Sequence, residues 1–397
     1  MQTYIVGGYV RDTLLQLTPN DIDYVVVGST PAEMLSLGYE KVGRDFEVYL
    51  HPETKHEYAL ARTERSTGAS HTDFSTETAN VSLEEDLARR DLTINAIAMS
   101  ETGTITDPYS GQSDIENRIL RHTSEAFAED PLRVLRLARL RATLPGYWRV
   151  HPSTKVLCHN MRPLLSSLID ERIWKELSKV MSHNTLPLFF ETLYELNVLD
   201  VIFPSIHALI LCREGIPSHR EANVFVHTML MLRLEKYSTL IQLSILFHDI
   251  GKPSTYLQYG NGAGHEGEAF VDSLLPTWIP ATIRKEVLFL IVNHTRIYKF
   301  GSMKPSKIAK YIASYKKPYL LQAQIALANA DDKGRICDPG ISKDIPYMKI
   351  MCAHLDIQSY SPLLWISEQP TPPSGEAIKQ HIHNYNIAVV KKYFTKD

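Results

Sequence analysis

The chain has 397 residues, of which 44% are hydrophobic, and this is enough for roughly two to four domains with buried cores. The formal net charge is −3, which excludes a uniformly basic surface, so a nucleic-acid partner would have to be held by local patches. The four cysteines are scattered without a Cys-x-x-Cys pair, and neither an apolar run of about 18 residues nor an export signal is evident. We therefore expect a soluble, cytoplasmic protein with reduced thiols and no membrane partner.

The N-terminal segment contains a glycine pair between a predicted strand and a predicted helix. Residues 4–6 form a short apolar run, and Gly7 and Gly8 follow it. Apolar residues then recur at helical spacing over 9–17, so a helix is expected to begin just after the glycines. Glycine lets a backbone turn pass close to a ligand, and the free N–H groups of a helix start attract phosphate.

Two aspartates lie at the start of the next predicted strand, 22–27. Asp21 and Asp23 are separated by one residue, so on a strand their carboxylates share a face, about 7 Å apart. This arrangement suits two Mg²⁺ ions held between the protein and a triphosphate. Asp-x-Asp alone is more often a solvated turn, but the glycine pair and Arg11 upstream favour a nucleotide site.

Residues 1–120 mix short strands, turns and helices. A helix is predicted to begin at Thr30 and Pro31, because a threonine cap followed by proline is typical of helix starts. The segment 63–80 is rich in Thr, Ser, Gly and Glu, and we expect a long mobile loop there, either functional or an ordinary excursion. The predicted strands are 4–6, 22–27, 47–50, 57–61 and 104–106.

A second polar motif lies at 87–96, where arginine, aspartate and asparagine are dense. Arg90, Asp91 and Asn95 belong to it. The planar donor fork of arginine suits phosphate oxygens, so this stretch can hold a triphosphate and a ribose. Taken alone, Arg-Arg-Asp is equally typical of a solvated helix end.

A helix over 129–139 is predicted from its Glu-Asp-Pro start. Asp130 lies one turn before Arg133, so the two can be held together. Arg133, Arg136 and Arg139 are spaced three apart and share one side of that helix. Since leucine, valine and alanine supply the core side, the arginines form either an anion-binding comb or a solvated face.

The rest of the chain is predicted to be mainly helical. Apolar residues recur at helical spacing over 150–215, and 214–218 reads as a linker. The tail, 336–397, has proline-rich joints and ends in a basic helix. That helix could contact RNA phosphates, although a solvated surface helix is the default interpretation.

Histidines and aspartates form a second constellation in this helical region. A lone buried histidine is more often satisfied by hydrogen bonds than bound to metal, but several histidines and two aspartates on predicted helices favour a divalent metal site. Such ligands suit Ni, Mn, Fe or Zn better than Mg, and the metal would activate water for phosphate ester hydrolysis. The members are His227, His248, Asp249, His265, His294 and Asp331.

In this order, the motifs closely resemble those of the bacterial class II tRNA nucleotidyltransferases, the CCA-adding enzymes of the polymerase-beta-like superfamily. The resemblance covers residues 1 to about 335 and is weaker beyond. The His-Asp constellation resembles the HD phosphohydrolase domain of the multifunctional branch of that family. The motifs that carry the resemblance are Gly7-Gly8, Arg11, Asp21-Ile22-Asp23, Arg89-Arg90-Asp91 through Ala96, and Glu129 through Arg133.

The resemblance implies an α+β fold, with a small nucleotidyltransferase head of mixed sheet and helices and a mostly α-helical body that includes the HD domain. The implied domains are the head at 1–140, a helical neck and body at 141–222, the HD domain at 223–335 and a helical tail at 336–397. The segment 63–80 falls where the family has a flexible loop associated with switching from C to A addition.

Residue roles follow from the same resemblance. Asp21 and Asp23 match the metal-binding carboxylates of nucleotidyl transfer, and Glu57 is a candidate third carboxylate. Asp130 and Arg133 match the pair that reads the base, since a carboxylate accepts from the amino group of cytosine or adenine and a guanidinium donates to the ring nitrogen. Residues that match phosphate, ribose and neighbouring structural positions are Gly8, Arg11, Arg90, Asp91, Asn95, Arg136 and Arg139.

In the HD domain, the hypothesis is a metal site formed by four residues with two further ligands or substrate contacts. The four are His227, His248, Asp249 and Asp331, and the two are His265 and His294.

The implied activity is addition of CCA to the 3′ end of tRNA from ATP and CTP, without a nucleic-acid template and with Mg²⁺. The HD domain is expected to hydrolyse phosphate esters (as a 2′,3′-cyclic phosphodiesterase, 2′-nucleotidase and phosphatase) with a transition metal such as Ni²⁺. DNA is not an expected partner, and a monomer and a homodimer both fit. The alternatives are a poly(A) polymerase, an HD phosphohydrolase whose head only binds RNA, and an enzyme that adds only CC or only A.

Overall fold

The computed structural model describes residues 1–19, 21–42, 47–66, 74–77, 80–213, 220–260, 264–336 and 346–394. The chain divides into two compact units, Met1–Pro204 and Ser205–Asp397. The first unit contains the strands, and the described part of the second is helical. The finer division into four domains stays a prediction.

The strands of the first unit in chain order, β1 to β11, are Gln2–Val6, Asp23–Val27, Glu40–Val42, Val48–Leu50, Glu57–Leu60, Thr63–Ser66, Phe74–Glu77, Ala98–Ser100, Ile105–Thr106, Ile119–Leu120 and Arg149–Val150. Seven of them form a mixed sheet in the order β3-β4-β5-β2-β1-β8-β9. The pairs of this sheet are antiparallel apart from β2 and β5, which run parallel with Asp23 opposite Glu57.

Both faces of the sheet are covered, because successive side chains of a strand point to opposite faces. Val25 packs with Val6 and Leu87 on one face, whereas Val26 packs with Met34 and other buried side chains on the opposite face. The burial of both neighbours holds β2 in the interior and fixes which way its first residue, Asp23, points.

The first unit continues into helices. The helices α1 to α10 are Gly8–Leu14, Pro31–Ser36, Leu83–Ala88, Gly111–Glu116, Leu132–Thr143, Pro152–Asn160, Arg162–Leu165, Asp170–Ser182, Leu186–Glu195 and Leu199–Ile202. The helix α5 packs against α8 and α9. Of its three regularly spaced arginines, Arg133 is buried, and Arg136 and Arg139 are half-buried.

The helices α11 to α21 are Pro204–Leu211, Val224–Arg233, Thr239–Phe247, Lys252–Tyr259, Glu268–Leu274, Ala281–Asn293, Pro305–Ser314, Pro318–Gly334, Tyr347–Ser359, Leu363–Ser367 and Gly375–Phe394. In the second unit, α12, α13, α16 and α18 pack together, and α17, α19 and α21 form a further packed group. Among the described residues, no helix is both long and apolar enough to cross a membrane.

The predicted α+β fold, the mixed sheet and the helical body are confirmed, and each predicted strand overlaps an observed one. The helix predicted at Thr30 is also present, and Thr30 and Glu33 form its capping box.

The prediction of a loop over 63–80 is wrong for Thr63–Ser66 and Phe74–Glu77, which pair as the antiparallel strands β6 and β7. Backbone hydrogen bonds between two polar segments stabilise such a ribbon without an apolar stripe, so hydrophobic spacing gave no sign of it. Residues 67–73 and 78–79 of that segment lie outside the described residues, as does the predicted linker 214–218.

Candidate functional site

A large open cavity in the first unit is lined by the polar motifs of the head. Its volume is about 870 Å³, within the range of small-ligand sites. Basic side chains outnumber acidic ones at its walls, so the cavity favours an anion although the chain has a formal charge of −3. The basic residues are Arg11, Arg62, Arg89, Arg90, Arg133, Arg136, Arg139, Arg172 and Lys179, and the acidic ones are Asp12, Asp21, Asp23, Asp91, Asp130 and Glu171.

The turn between β1 and α1 requires glycine. Gly7 has φ of 74°, a left-handed conformation that other residues rarely adopt. A β-carbon at Gly7 would lie 3.4 Å from Arg90 Nη1 and 3.8 Å from Asp23 Oδ2. The glycine therefore lets the backbone pass between a guanidinium and a carboxylate of the site.

Asp21 and Asp23 both line the cavity, one just before β2 and one at its first position. Glu57 lies beside Asp23 in the sheet but does not belong to the cavity wall. Burial raises the pKa of Asp23, Arg90 opposes this effect, and the neighbouring Glu57 and Asp21 carboxylates reinforce it. Carboxylate oxygens whose charge is incompletely compensated fit a hard cation such as Mg²⁺.

A chain of hydrogen bonds connects the arginines of α1 and α5. Arg11 Nη1 donates to Asn95 Oδ1 at 2.8 Å, and Asn95 Nδ2 donates to Asp91 Oδ1 at 2.9 Å. Arg136 Nε donates to Asp91 Oδ2 at 2.8 Å. Although burial alone would raise the pKa of Asp91, Arg136 and Asn95 hold it well below its usual range. Asp91 is thus a permanent anion that positions cations at the cavity.

Asp86, on α3, is a second anion that positions arginines at the cavity. Its side chain is fully buried and accepts from Arg89 Nη2 at 2.7 Å and from Arg90 Nη2 at 3.1 Å. It also accepts from the backbone N–H of Arg62 at 3.2 Å. Burial alone would raise the pKa of Asp86, but Arg90 and Arg89 outweigh it and lower the pKa.

The helix α8 supplies partners for residues at and near α5. Arg139 Nε donates to Glu176 Oε2 at 2.5 Å. Arg172 Nη1 and Nη2 donate to Asp130 Oδ1 and Oδ2 at 3.1 and 2.8 Å, a bidentate pair. Arg133, which was expected to be held together with Asp130, donates through Nη1 to the carbonyl of Ala126 at 2.6 Å.

The structure therefore brings together in one cavity the sequence-predicted residues of the head, apart from Glu57. Sequence reasoning did not single out Asp86, Arg172 or Glu176. The helical spacing of Asp86 to Arg89 and Arg90 was a usable signal. No local pattern indicated Arg172 and Glu176, because their partners lie 42 and 37 residues away in the chain.

The second unit gathers its histidines and aspartates into two groups of three. In each group the three possible ligand atoms lie within 4.8 Å of one another. This spacing fits ions with ligands at about 2.0–2.2 Å, for which ligand atoms are separated by roughly 3–4.4 Å. The first group is His227, His248 and Asp331, and the second is Asp249, His265 and His294.

Hydrogen bonds of the outer ring nitrogens orient the histidines. His248 Nδ1 donates to the carbonyl of Ile245 at 2.8 Å, and His294 Nδ1 donates to that of Ile291 at 2.5 Å. His227 Nδ1 lies 2.9 Å from Glu221 Oε1. These contacts leave Nε2 as the atom that faces the group, the usual arrangement of metal-binding histidines. His248 Nε2 is buried and, within the described residues, has no hydrogen bond.

The aspartates of the two groups are held as anions. Burial alone would raise the pKa of Asp249, but His248 and Lys252 hold it well below its usual range. Burial also opposes ionisation of Asp331, yet hydrogen bonding to His227 keeps its pKa well below the usual range. Burial lowers the pKa of His294 to about 4, so this imidazole is neutral and available as a ligand at neutral pH. The donor set of imidazoles and carboxylates fits a first-row transition ion.

Comparison with known proteins supports the head fold. Residues 3–121 match the family model described as the Poly A polymerase head domain. Residues 149–210 match the model described as a probable RNA and SrmB-binding site of polymerase A. The fold and the cavity thus define a nucleotidyltransferase of the polymerase-head class.

Whole-chain relatives give the family. The chain is 38% identical over 407 aligned residues to the Multifunctional CCA protein of Acinetobacter baumannii (strain SDF), covering 99% of this chain and 98% of that protein. It is 40% identical over 358 residues to the Multifunctional CCA protein of Mannheimia succiniciproducens, covering 84% of each. The chain belongs to the family of multifunctional CCA proteins, as the resemblance of its motifs predicted.

Solved structures share the fold at lower identity. The Bacillus stearothermophilus CCA-adding enzyme in complex with CTP matches with a TM-score of 0.58 and 21% identity, covering 98% of this chain and 89% of that one. A tRNA nucleotidyltransferase complexed with a primer tRNA and an incoming ATP analog matches with a TM-score of 0.53 and 23% identity, covering 84% and 93%.

The anchoring role of Asp86 can be tested by substitution. We expect Asp86→Asn to destabilise the first unit by about 3–5 kcal/mol at pH 7, because two arginines lose their buried carboxylate. The native state lowers the pKa of Asp86, so its contribution is present above about pH 4 and is lost as the pH falls through the native value. Denaturant unfolding at pH 7 and pH 3 measures both the loss and its decrease in acid.

Glu84→Gln is the matched control, since Glu84 is exposed on the same helix. This variant should remain within about 0.5 kcal/mol of the parent. Equal unfolding free energies for the Asp86 and Glu84 variants would contradict the anchoring role.

Proposed function

We propose that this protein adds C, C and A to the 3′ end of tRNA from CTP and ATP, without a nucleic-acid template. The observation that carries the proposal is the cavity in which Asp21 and Asp23 share a wall with an arginine array. The sequence identity of this chain to a multifunctional CCA protein, which extends over nearly the whole chain, supports tRNA as the substrate. Solved structures of similar fold are complexes with CTP, with tRNA and with an ATP analog, and they support the same partners.

Asp21 and Asp23 would hold Mg²⁺ against the triphosphate. When bound there, Mg²⁺ would lower the pKa of the tRNA 3′-hydroxyl and neutralise charge on the departing pyrophosphate. In the reaction, the 3′-oxygen forms a bond to the α-phosphorus and the bond from that phosphorus to pyrophosphate breaks. Three other aspartates of the cavity wall, Asp12, Asp91 and Asp130, accept hydrogen bonds from arginines.

The arginines would bind the triphosphate. Arg11 and Arg136 are fixed at opposite ends of the chain of hydrogen bonds through Asn95 and Asp91. Arg90 is fixed by Asp86. Guanidinium groups that are already oriented cost little reorganisation when phosphate charge develops in the transition state. Gly8 lies in the cavity wall, where its lack of a side chain permits close approach of a phosphate to the backbone.

Asp130 and Arg133 would read the base. Asp130 Oδ1 accepts from Arg172 and from the backbone N–H of Leu132, and Oδ2 accepts from Arg172. A carboxylate oxygen has two lone pairs, so Oδ2 retains one for the amino group of cytosine or adenine. Uracil and guanine present a carbonyl at the corresponding position, which would repel that oxygen. Arg172 is a positioning residue that sets the direction of the remaining lone pair.

A poly(A) polymerase is the rival function, because both matching family models are described by that polymerase. The two functions differ in when addition stops. A CCA-adding enzyme stops after three nucleotides, whereas a poly(A) polymerase continues with ATP alone. Stepwise incorporation into tRNA lacking its 3′ end, with each nucleotide supplied separately, distinguishes them and also detects an enzyme that adds only CC or only A.

Loss of one metal carboxylate tests the transfer site. Asp21→Asn and Asp23→Asn should each abolish incorporation of C and A into tRNA that lacks its 3′ end, a decrease of at least about 10³-fold. Asp12→Asn is the matched control, since Asp12 lies in the same cavity wall and is paired with Arg11. It should retain much more activity than either variant. Full activity of Asp21→Asn would refute the assignment.

The role of Arg172 is tested by nucleotide choice. We expect Arg172→Met to lower the preference for CTP and ATP over UTP and GTP by on the order of tenfold, because Asp130 loses its bidentate partner. Competition assays with all four nucleotides measure that ratio. Lys175→Met, at an exposed site on the same helix, should leave the ratio unchanged. If the preference for CTP and ATP were unchanged in Arg172→Met as well as in Lys175→Met, Arg172 would have no role in base selection.

For the second unit, we propose a metal-dependent phosphohydrolase that acts on phosphomonoesters and 2′,3′-cyclic phosphates, with Ni²⁺ as the first ion to be tested. The two groups of buried imidazole and carboxylate ligands support it. Such an ion would supply a hydroxide nucleophile at neutral pH. Tyr298 donates its hydroxyl to Asp331 Oδ2 at 2.6 Å and so orients that carboxylate.

Asp249→Asn should abolish phosphatase activity and leave CCA addition intact. The reason is that Asp249 contacts His248, His265 and Lys252 within the buried cluster. Asp272→Asn, on the exposed side of the same unit, is the control and should hydrolyse at the parent rate. Metal-dependent hydrolysis by the Asp249 variant at the parent rate would show that the activity resides elsewhere.

The division into four domains, the cytoplasmic location and the oligomeric state stay predictions. The tail helix α21 uses part of its basic surface internally. Lys392 pairs with Asp356 at 3.0 Å, and His381 stacks on Trp365 with ring centres 4.0 Å apart. These contacts favour a structural role for that part of the tail.

A further inference from the structure

The segment 287–330 of the second unit is strongly basic. It contains six lysines and one arginine and no aspartate or glutamate, although the whole chain has a formal net charge of −3. Five of the lysines lie at the start of α17, along it, or in the turn that joins it to α18, and all five are exposed. These five residues, the lysine strip, are Lys304, Lys307, Lys310, Lys316 and Lys317.

We propose that the lysine strip binds the phosphate backbone of RNA. The inference deepens the proposed function and rests on it, because it assigns a further surface to the same RNA partner. The strip lies outside residues 149–210, the segment that matches a model described as a probable RNA and SrmB-binding site. It also contains none of the histidines and aspartates that form the two buried groups of this unit.

The helix α17 has an apolar side and a lysine side. Ile308, Ala309 and Ile312 are buried, and α17 packs against α19 and α21. At 3.6 residues per turn, Lys307 and Lys310 lie on the side of the helix opposite these apolar residues. From Lys304 to Lys310 a helix rises about 9 Å, at about 1.5 Å per residue. Lysines spaced three apart are neighbours on a helix surface, so α17 presents a row of cations to solvent.

Most of the charge of the strip is uncompensated by the protein. In the part of the chain that the structure describes, Lys304, Lys307 and Lys310 form no ion pair, whereas Lys317 pairs with Glu286 at 3.1 Å. Like charges three residues apart on a helix repel each other and destabilise it. A polyanion laid along the row removes that repulsion, and its binding also gains from the release of counter-ions.

The starts of α17 and α18 carry a lysine where an acceptor side chain is usual. Lys304 precedes Pro305 as the N-cap of α17, and Lys317 precedes Pro318 as the N-cap of α18. Within the described residues, neither start has a side-chain cap or an acidic residue in its first turn. Helix starts favour negative charge, because their first N–H groups are free, so a lysine there has a local cost. An RNA phosphate beside either lysine would offset this cost.

The chemistry of the strip favours RNA over a lipid surface. A lysine ammonium is a compact point charge, which suits backbone phosphates that are contacted without regard to base sequence. A helix that binds membranes inserts large apolar side chains beside its lysines, but Ile308 and Ile312 are buried within the unit. Tyr319, which is 44% exposed, lies 5.3 Å from Lys317 Nζ through its ring centre and offers a face on which an unpaired base can stack.

The salt dependence of RNA binding tests the proposal. The probe is tRNA that lacks its 3′ CCA, titrated into the full chain at about 50 to 200 mM salt without nucleotide, so that neither proposed reaction contributes. Each lost phosphate contact reduces the slope of the logarithm of the binding constant against the logarithm of salt concentration by about 0.7–0.9. The double variant Lys307→Gln, Lys310→Gln should therefore have a slope smaller by about 1.5 and bind tRNA on the order of tenfold more weakly at about 50 mM salt.

The matched control is the double variant Lys236→Gln, Lys349→Gln. It removes the same charge from two exposed positions of the same unit that do not belong to the strip. The control should keep the slope and the tRNA affinity of the parent, because a change in net charge alone removes no phosphate contact.

Lys304→Asp separates RNA binding from a structural role. Aspartate is a preferred N-cap, so the free protein should gain stability, and the midpoint of its thermal unfolding should rise by about 2 °C. The same substitution places an anion in the strip, so the tRNA affinity at about 50 mM salt should fall on the order of tenfold. A higher midpoint with unchanged tRNA affinity would contradict the role of Lys304 in binding.

Equal salt slopes for the two double variants would overturn the proposal, even if CCA addition is observed. A smaller slope for Lys307→Gln, Lys310→Gln in a chain that adds no nucleotide to tRNA would support the strip and reject the proposed nucleotidyl transfer. Vesicles of phosphatidylserine and phosphatidylcholine test a lipid partner. Sedimentation with these vesicles that requires Lys307 and Lys310, together with unchanged tRNA affinity of their double variant, would overturn RNA as the partner.

Discussion

Mutual repulsion among the basic side chains is the constraint around which the first unit is built. Like charges about 6 Å apart repel by roughly 3 kcal/mol at an effective dielectric constant near 20. Nine basic side chains line one cavity, so the fold must supply compensating anions. Asp86, Asp91 and Glu176 meet that need, because each is buried and bonds an arginine. Asp91 belongs to the cavity wall, whereas Asp86 and Glu176 do not.

Aspartate therefore has two different roles in this unit, either as a counter-ion for arginines or as a proposed ligand for an external cation, according to its surroundings. Arginines lower the pKa values of Asp86 and Asp91, which makes them fixed counter-ions. Burial and neighbouring carboxylates raise the pKa of Asp23, which leaves an anion that gains from an external cation. Asp130 is intermediate, since Arg172 satisfies part of its capacity and leaves one lone pair. The proposed metal-binding, anchoring and base-reading roles follow from how far neighbouring arginines compensate the charge of each aspartate.

Local patterns in the sequence predicted the parts of the head whose causes are local. The glycine turn, the Asp21-Ile22-Asp23 strand start, the Thr30 cap and the arginine spacing on α5 each depend on neighbours within a few residues. The polar ribbon of β6 and β7 was missed because backbone pairing leaves no apolar period. Arg172 and Glu176 were missed because the packing of α8 on α5, and not their sequence context, brings them to their partners.

The second unit shows the same limit at its proposed metal centre. The sequence predicted the six candidate ligands, but their division into two groups depends on where the oxygens of Asp249 lie. That direction is set by α13 and α16, whose last turns place His248 and His294 with their Nδ1 atoms bound to helix carbonyls. Helix ends carry carbonyls that need a donor, and a histidine at that position satisfies one while presenting its second nitrogen outward. Where a helix ends thus decides which ring nitrogen can bind metal.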